Sequence, residues 1–144
     1  MGWFKKNNNE IKLRDPSEMS PLECVTYLCS LVQLADGNVN FEERQRWNDA
    51  IKGLFPDFLE QRADKFFSDA QKVFNNMMEK DKRKYIPKIL SRIEELLDEN
   101  QINKLSDSIG KIIEADGIVM TSELEIAKIV EDFLGVEIRI SKSI

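Results

Sequence analysis

The sequence contains no histidine. That absence removes Ser-His and Cys-His nucleophile systems, histidine-ligated zinc and the usual general base near neutral pH. Cysteine is scarce, with only Cys24 and Cys29. Five positions apart on one predicted helix, they point to different sides, which disfavours a disulfide and leaves two buried, inert thiols in a reducing cytoplasm. No apolar stretch approaches the length of a membrane span, and the first residues do not read as a signal peptide. An excess of basic residues is also lacking: the net charge of −5 argues against a nucleic-acid binder. Carboxylates, lysines and thiols remain as potential catalysts, but no pattern assembles them into a site. A cytoplasmic, non-enzymatic protein is the expectation.

A length of 144 residues, 42% apolar and 33% charged, suits a single soluble domain with a real core. Three segments are expected: a flexible N-terminal tail over 1–18, a helical domain over 19–136 and a C-terminal tail over 137–144. Ser20-Pro21-Leu22-Glu23 combines an N-cap serine, a proline at the first helical position and a glutamate placed to close a capping box. The helix that follows is apolar over most of its circumference and therefore central. Asn40-Phe41-Glu42-Glu43 restarts the chain, with Trp47, Ala50, Ile51 and Leu54 on the inner face, and Gly53 with Phe55-Pro56 as a stop. Asp57 can cap a third helix with a seam of Leu59, Ala63, Phe66, Ala70, Val73 and Met77. Pro87 is placed near the start of a fourth helix, and Asp98 or Asn100 starts a fifth carrying Leu105, Ile109, Ile112 and Ile113. Ser108 and Gly110 are small enough to admit a close neighbouring helix. The last helix begins near the N-cap candidate Thr121 and ends at Leu134-Gly135. Beyond it, Val136 onward reads as an extended coil laid on the bundle or as a frayed end.

What stands out is a repeat. Ala35-Asp36-Gly37-Asn38-Val39 leads to Glu43, and 80 residues later Ala115-Asp116-Gly117-Ile118-Val119 leads to Glu123. In both copies an apolar helical run ends at the alanine and another begins near the glutamate. The expected architecture is an all-α bundle of six or seven helices with an internal pseudo-two-fold. Asp-Gly-x-Val-x-x-x-Glu also matches the second half of an EF-hand calcium loop. The first half fails: its ligand positions fall on Val32 and Leu34 in one copy, and on Ile112 and Glu114 in the other. Neither loop holds calcium alone by this reading. Facing each other, the two could pool Asp36, Glu43, Asp116 and Glu123 around one hard divalent cation, calcium, magnesium or manganese. The competing reading is structural: Asp-Gly stops a helix, and a first-turn glutamate suits the macrodipole of the next.

The two Ala-Asp-Gly turns with their following glutamates, and the closure of the second unit at Phe133-Leu134-Gly135, resemble the TerB-like tellurite-resistance family over about residues 20–136. The resemblance implies an all-α fold with an internal pseudo-two-fold and a role in stress response. It also implies metal binding at the acidic motif positions, which here are Asp36, Glu43, Asp116 and Glu123. Asn40 in one copy stands where Met120 stands in the other, so the half-sites are not equivalent. A metal-free helical module that binds a protein partner is the alternative.

Two further features stand apart from the repeat. Lys80, Lys82, Arg83, Lys84, Lys88 and Arg92 form a basic cluster, read as a solvated turn and helix face or as a site for an anion or partner. Trp3-Phe4-Lys5-Lys6 suits a membrane interface, although docking of these aromatics on the domain is the preferred reading.

Overall fold

The computed structural model describes residues 13–34, 41–57, 60–114 and 121–140. Six α-helices lie among them: α1 (Pro21–Gln33), α2 (Phe41–Leu54), α3 (Glu60–Asn75), α4 (Glu79–Leu96), α5 (Glu99–Ile113) and α6 (Thr121–Leu134). No strand occurs among the described residues, in agreement with the all-α expectation. Among the described residues no helix is long and apolar enough to cross a membrane.

α1 is the axis. Ser20 caps it, its Oγ accepting from the Glu23 N–H at 3.2 Å, and Pro21 follows at the first turn. Every residue from Glu23 to Gln33 is buried. Each of the other five helices packs against α1, while α2 also packs on α5, and α4 and α5 on α6. Tyr27 of α1, Phe74 of α3 and Tyr85 of α4 form an edge-to-face series with centroid separations of 5.6 and 5.9 Å. Trp47 of α2 lies on Phe67 of α3 at 4.8 Å. The buried face of α3 is thus Ala63, Phe67, Ala70, Val73 and Phe74. The expected Phe66 is displaced to the edge, where the Arg62 guanidinium covers its ring at 5.5 Å, and Met77 falls beyond the helix end.

Of three helix boundaries, two differ from the sequence reading, and the third falls at Asp98, one of the two starts it offered. Pro87 sits in the interior of α4, which already begins at Glu79, so the basic cluster lies along the helix from Lys80 to Arg92. A proline there withdraws one N–H from the helical ladder, a loss tolerable on this exposed face. Asp98 caps α5 with a complete capping box, receiving the Gln101 N–H while the Gln101 side chain receives the Asp98 N–H. Thr121 is the first helical residue of α6 rather than its cap.

Both ends of the described chain are tied down. Residues 13–18, assigned by composition to a flexible tail, include a short 3-10 turn over Pro16–Glu18. Arg14 donates from Nε and Nη2 to Glu23 at 2.8 and 3.0 Å, a bidentate pair on an almost buried carboxylate. Glu23 therefore serves Arg14 instead of the reciprocal arm of a capping box. The Tyr85 hydroxyl donates to the Arg14 carbonyl, and Arg92 Nε donates to the Met19 carbonyl at 3.0 Å.

At the other end, α6 closes with a Schellman-type turn: Gly135 has φ 69°, and the Gly135 and Val136 N–H groups both donate to the Glu131 carbonyl. The following residues are extended, Ile138 is buried, and its N–H donates to Glu131 Oε2 at 2.8 Å. Gly110 is what lets them approach. A Cβ there would lie 2.4 Å from the Arg139 carbonyl oxygen, so the close neighbour is this extended segment and not another helix.

Two substitutions test these ties. Gly110→Ala should destabilise by about 1–3 kcal/mol in urea titration, the cost of overpacking against backbone that must shift. Arg14→Ala strands a buried carboxylate. It should also cost about 1–3 kcal/mol, less than a fully buried pair because the arginine end is solvent-accessible. Unchanged denaturation midpoints would refute these contacts.

Candidate metal centre

The two copies of the repeat, 35–40 and 115–120, fall between matching helix ends. α1 ends at Gln33 and α5 at Ile113, whereas α2 starts at Phe41 and α6 at Thr121, each pair 80 positions apart and the latter two helices each 14 residues long. The entry geometry repeats as well. Leu34 (φ −88°, ψ 0°) and Glu114 (φ −95°, ψ 7°) cap their helices, each N–H directed at the carbonyls four and two residues back. The chain thus enters both turns with the same backbone conformation.

Of the four candidate carboxylates, Glu123 is the one whose side chain is described. It occupies the first turn of α6 and is 1% exposed. Glu43 holds the matching place in the first turn of α2, but its side chain lies outside what is described. Asp36 and Asp116, together with Gly37 and Gly117, fall in 35–40 and 115–120 and lie outside the described residues. Among the described residues no group of three or more Cys, Asp or Glu is gathered for a metal ion. A carboxylate as buried as Glu123 is compensated by hydrogen bonds or a cation when ionised, and otherwise takes a proton. Glu23 illustrates one solution with Arg14.

Sequence reading missed that Arg14–Glu23 pair. The only available signal was a first-turn glutamate behind a capping serine, and the side chain took the longer-range cation instead.

Other chemistry is poorly served. Burial pushes the thiols of Cys24 and Cys29 up to about 12, so neither is a thiolate nucleophile near neutrality. A cavity of about 50 Å³ between α1, α4 and α6 is lined by Leu31, Ile86, Ile126 and Ile129, with Arg83 pairing to Glu125 at its edge. It is too small for a metabolite, given that ligand sites usually span about 300–1,000 Å³. A wider groove of about 480 Å³ is formed by Leu22, Phe55 and Leu96, with Ser20, Arg62 and Gln101 as polar residues. Arg62 is the one titratable residue among its described lining residues, and Ser20 Oγ and Gln101 Oε1 already serve as helix caps. No acid–base pair lines it among the described residues.

Comparison with protein-family models, with curated proteins and with solved structures gives no match for this chain.

The cysteines give a pH prediction. A thiol raised from about 9 to about 12 in the folded state loses its proton earlier in the unfolded chain. Its contribution to stability is therefore full below pH 9 and falls as pH climbs toward 12. Native protein at pH 8 should leave both thiols unreactive to an aromatic disulfide reagent, while the denatured chain titrates two. The Cys24→Ala, Cys29→Ala variant should lose less stability between pH 9 and 11 than the parent.

Proposed function

We propose that this chain is a TerB-like stress-response protein of the tellurite-resistance type. It is cytoplasmic and non-enzymatic, and it binds a divalent cation through Asp36, Glu43, Asp116 and Glu123. The observation that carries this reading is the repeated helix–turn–helix frame with the buried carboxylate of Glu123 at its second copy. Two turns entered with one backbone geometry are what a shared site between duplicated units requires. The packing supports it too: α1 meets α5, α2 meets α5 and α6 meets α1, contacts that exchange when the two units are interchanged. Hard oxygen donors favour calcium, magnesium or manganese, and their mutual repulsion makes the cation a structural need of the carboxylate set. The cation then rigidifies the two turns and supports a surface for a protein partner.

Elemental analysis of protein purified without chelator, followed by thermal melts across a metal series, tests the proposal. At about 100 times its dissociation constant, the correct ion should add roughly 2.7 kcal/mol of stability. Asp36→Asn and Asp116→Asn should each weaken that gain, and their effects on affinity should be non-additive, as for ligands of one ion. Glu123→Gln should likewise reduce it. A flat melting response to millimolar calcium, magnesium, manganese and zinc, with no metal in the purified protein, leaves a metal-free helical interaction module instead.

A further inference from the structure

The groove of about 480 Å³ lies where five helix ends converge. Leu22 comes from the first turn of α1, Phe55 directly follows α2, and Arg62 belongs to the first turn of α3. Leu96 ends α4, and Gln101 belongs to the first turn of α5. Leu22, Phe55 and Leu96 pack against the core yet are only half-buried, so they give the groove an apolar floor. Its volume falls within the range of about 300–1,000 Å³ usual for small-molecule sites. The positions beside these residues in the chain are polar and exposed, Asp57, Gln61, Glu95 and Glu99 among them. The apolar surface is therefore confined to the groove. A stable protein–protein interface needs an apolar core within about 1,200–2,000 Å² of buried surface, more than three half-buried side chains supply.

Charge and hydrogen-bonding capacity select the occupant. Among the described residues no carboxylate pairs with Arg62, the one charged residue of the lining. Its guanidinium lies over the Phe66 ring, 5.5 Å from the centroid. A guanidinium stacked on its face keeps its N–H edge to donate, the geometry that receives a carboxylate through two parallel hydrogen bonds. The other polar lining groups point the same way. Ser20 Oγ accepts the Glu23 N–H and Gln101 Oε1 accepts the Asp98 N–H. That leaves the Ser20 hydroxyl proton and the Gln101 amide hydrogens to donate. Apolar floor and surplus donors together call for an anion with an apolar tail. Asp98 and Glu99 open α5 beside Gln101, so a ligand with more than one negative charge is disfavoured.

We infer that this groove binds an alkyl carboxylate of medium chain length, its carboxylate on Arg62 and its tail along Leu22, Phe55 and Leu96. A phosphorylated metabolite would bring excess charge and leave the apolar floor without a contact. A neutral hydrocarbon would cover the floor but leave the donors without an acceptor. The inference uses none of the carboxylates proposed for the cation, so chelator is present throughout its test.

The test is an amide NMR titration of the full chain with hexanoate, octanoate and decanoate, each below its micelle concentration. Octan-1-ol serves as the uncharged match. Saturable shifts should gather at Leu22, Phe55, Arg62, Leu96 and Gln101. Each added methylene should tighten binding about two- to fourfold, the lower figure reflecting a groove open on one side. Octanoate should bind about tenfold more tightly than octan-1-ol, and Arg62→Gln should abolish that difference. Arg62→Lys keeps the charge without the planar fork and should retain part of it. Arg62 is exposed, so both variants should melt as the parent does. Phe55→Ala should weaken every ligand about tenfold and leave the preference for the acid intact. If it fails to fold, Leu96→Ala takes its place. Absence of saturable shifts at these residues, or an acid preference that survives Arg62→Gln, overturns the inference. So does binding that ignores chain length. Silence toward all three carboxylates, with binding of an acetylated tetrapeptide ending in leucine at the same residues, overturns it in favour of a protein tail.

Discussion

A helix without a solvent face governs this molecule. From Glu23 to Gln33, α1 offers no exposed residue, so its polar groups must look for partners inside protein, and the Thr26 hydroxyl has none among the described residues. Ser30 does so by turning its hydroxyl back to the Thr26 carbonyl at 2.8 Å. Glu23 does so by drawing in Arg14 from outside the helix. A residue that composition alone would leave in a tail thus becomes a requirement of the core, and it brings residues 13–19 with it.

The same constraint explains the arrangement of the other helices. A rod hydrophobic all round can be covered only by neighbours on every side, and five helices provide them. α3 and α4 wrap one flank through the Tyr27, Phe74 and Tyr85 edge contacts. α2 and α5 pack together on another, and the extended residues after Gly135 reach back over Gly110 to close the far side of α5. Because all these elements meet on one axis, the two repeated turns emerge from helices that are themselves fixed by packing, α1 at Leu34 and α5 at Glu114.

Most of this was legible where the chain repeats or alternates strongly. The capping serine, the all-round apolar pattern of α1 and the 80-residue spacing of the helix ends that flank the repeat all appear in the backbone, because each is marked by local residues. Register errors arose where two readings of a seam were nearly degenerate: Phe66 and Phe67 are adjacent on α3, and tertiary packing against Trp47 decided for Phe67. Pro87 misled because a proline is a helix-start signal only when nothing outweighs its lost hydrogen bond, and the core stripe of Tyr85, Ile86, Ile89, Leu90 and Ile93 does outweigh it. Arg14 with Glu23, and Gly110 with Arg139, were invisible for a different reason. Their partners are specified by the fold and carry no spacing of their own. For the candidate centre, the sequence named four carboxylates, and the structure places the side chain of Glu123, in the interior.

The burial of α1 also sets a timetable for synthesis. α1 leaves the ribosome first among the helices, yet α5, one of the helices that cover it, ends 80 residues after it does. At roughly 5–20 residues per second, that interval lasts about 4–16 s. Throughout it the most apolar helix of the protein has an incomplete coat, and the nascent chain presents a surface that chaperones bind. The order of its helices thus makes the element needed at the centre before the ones that enclose it.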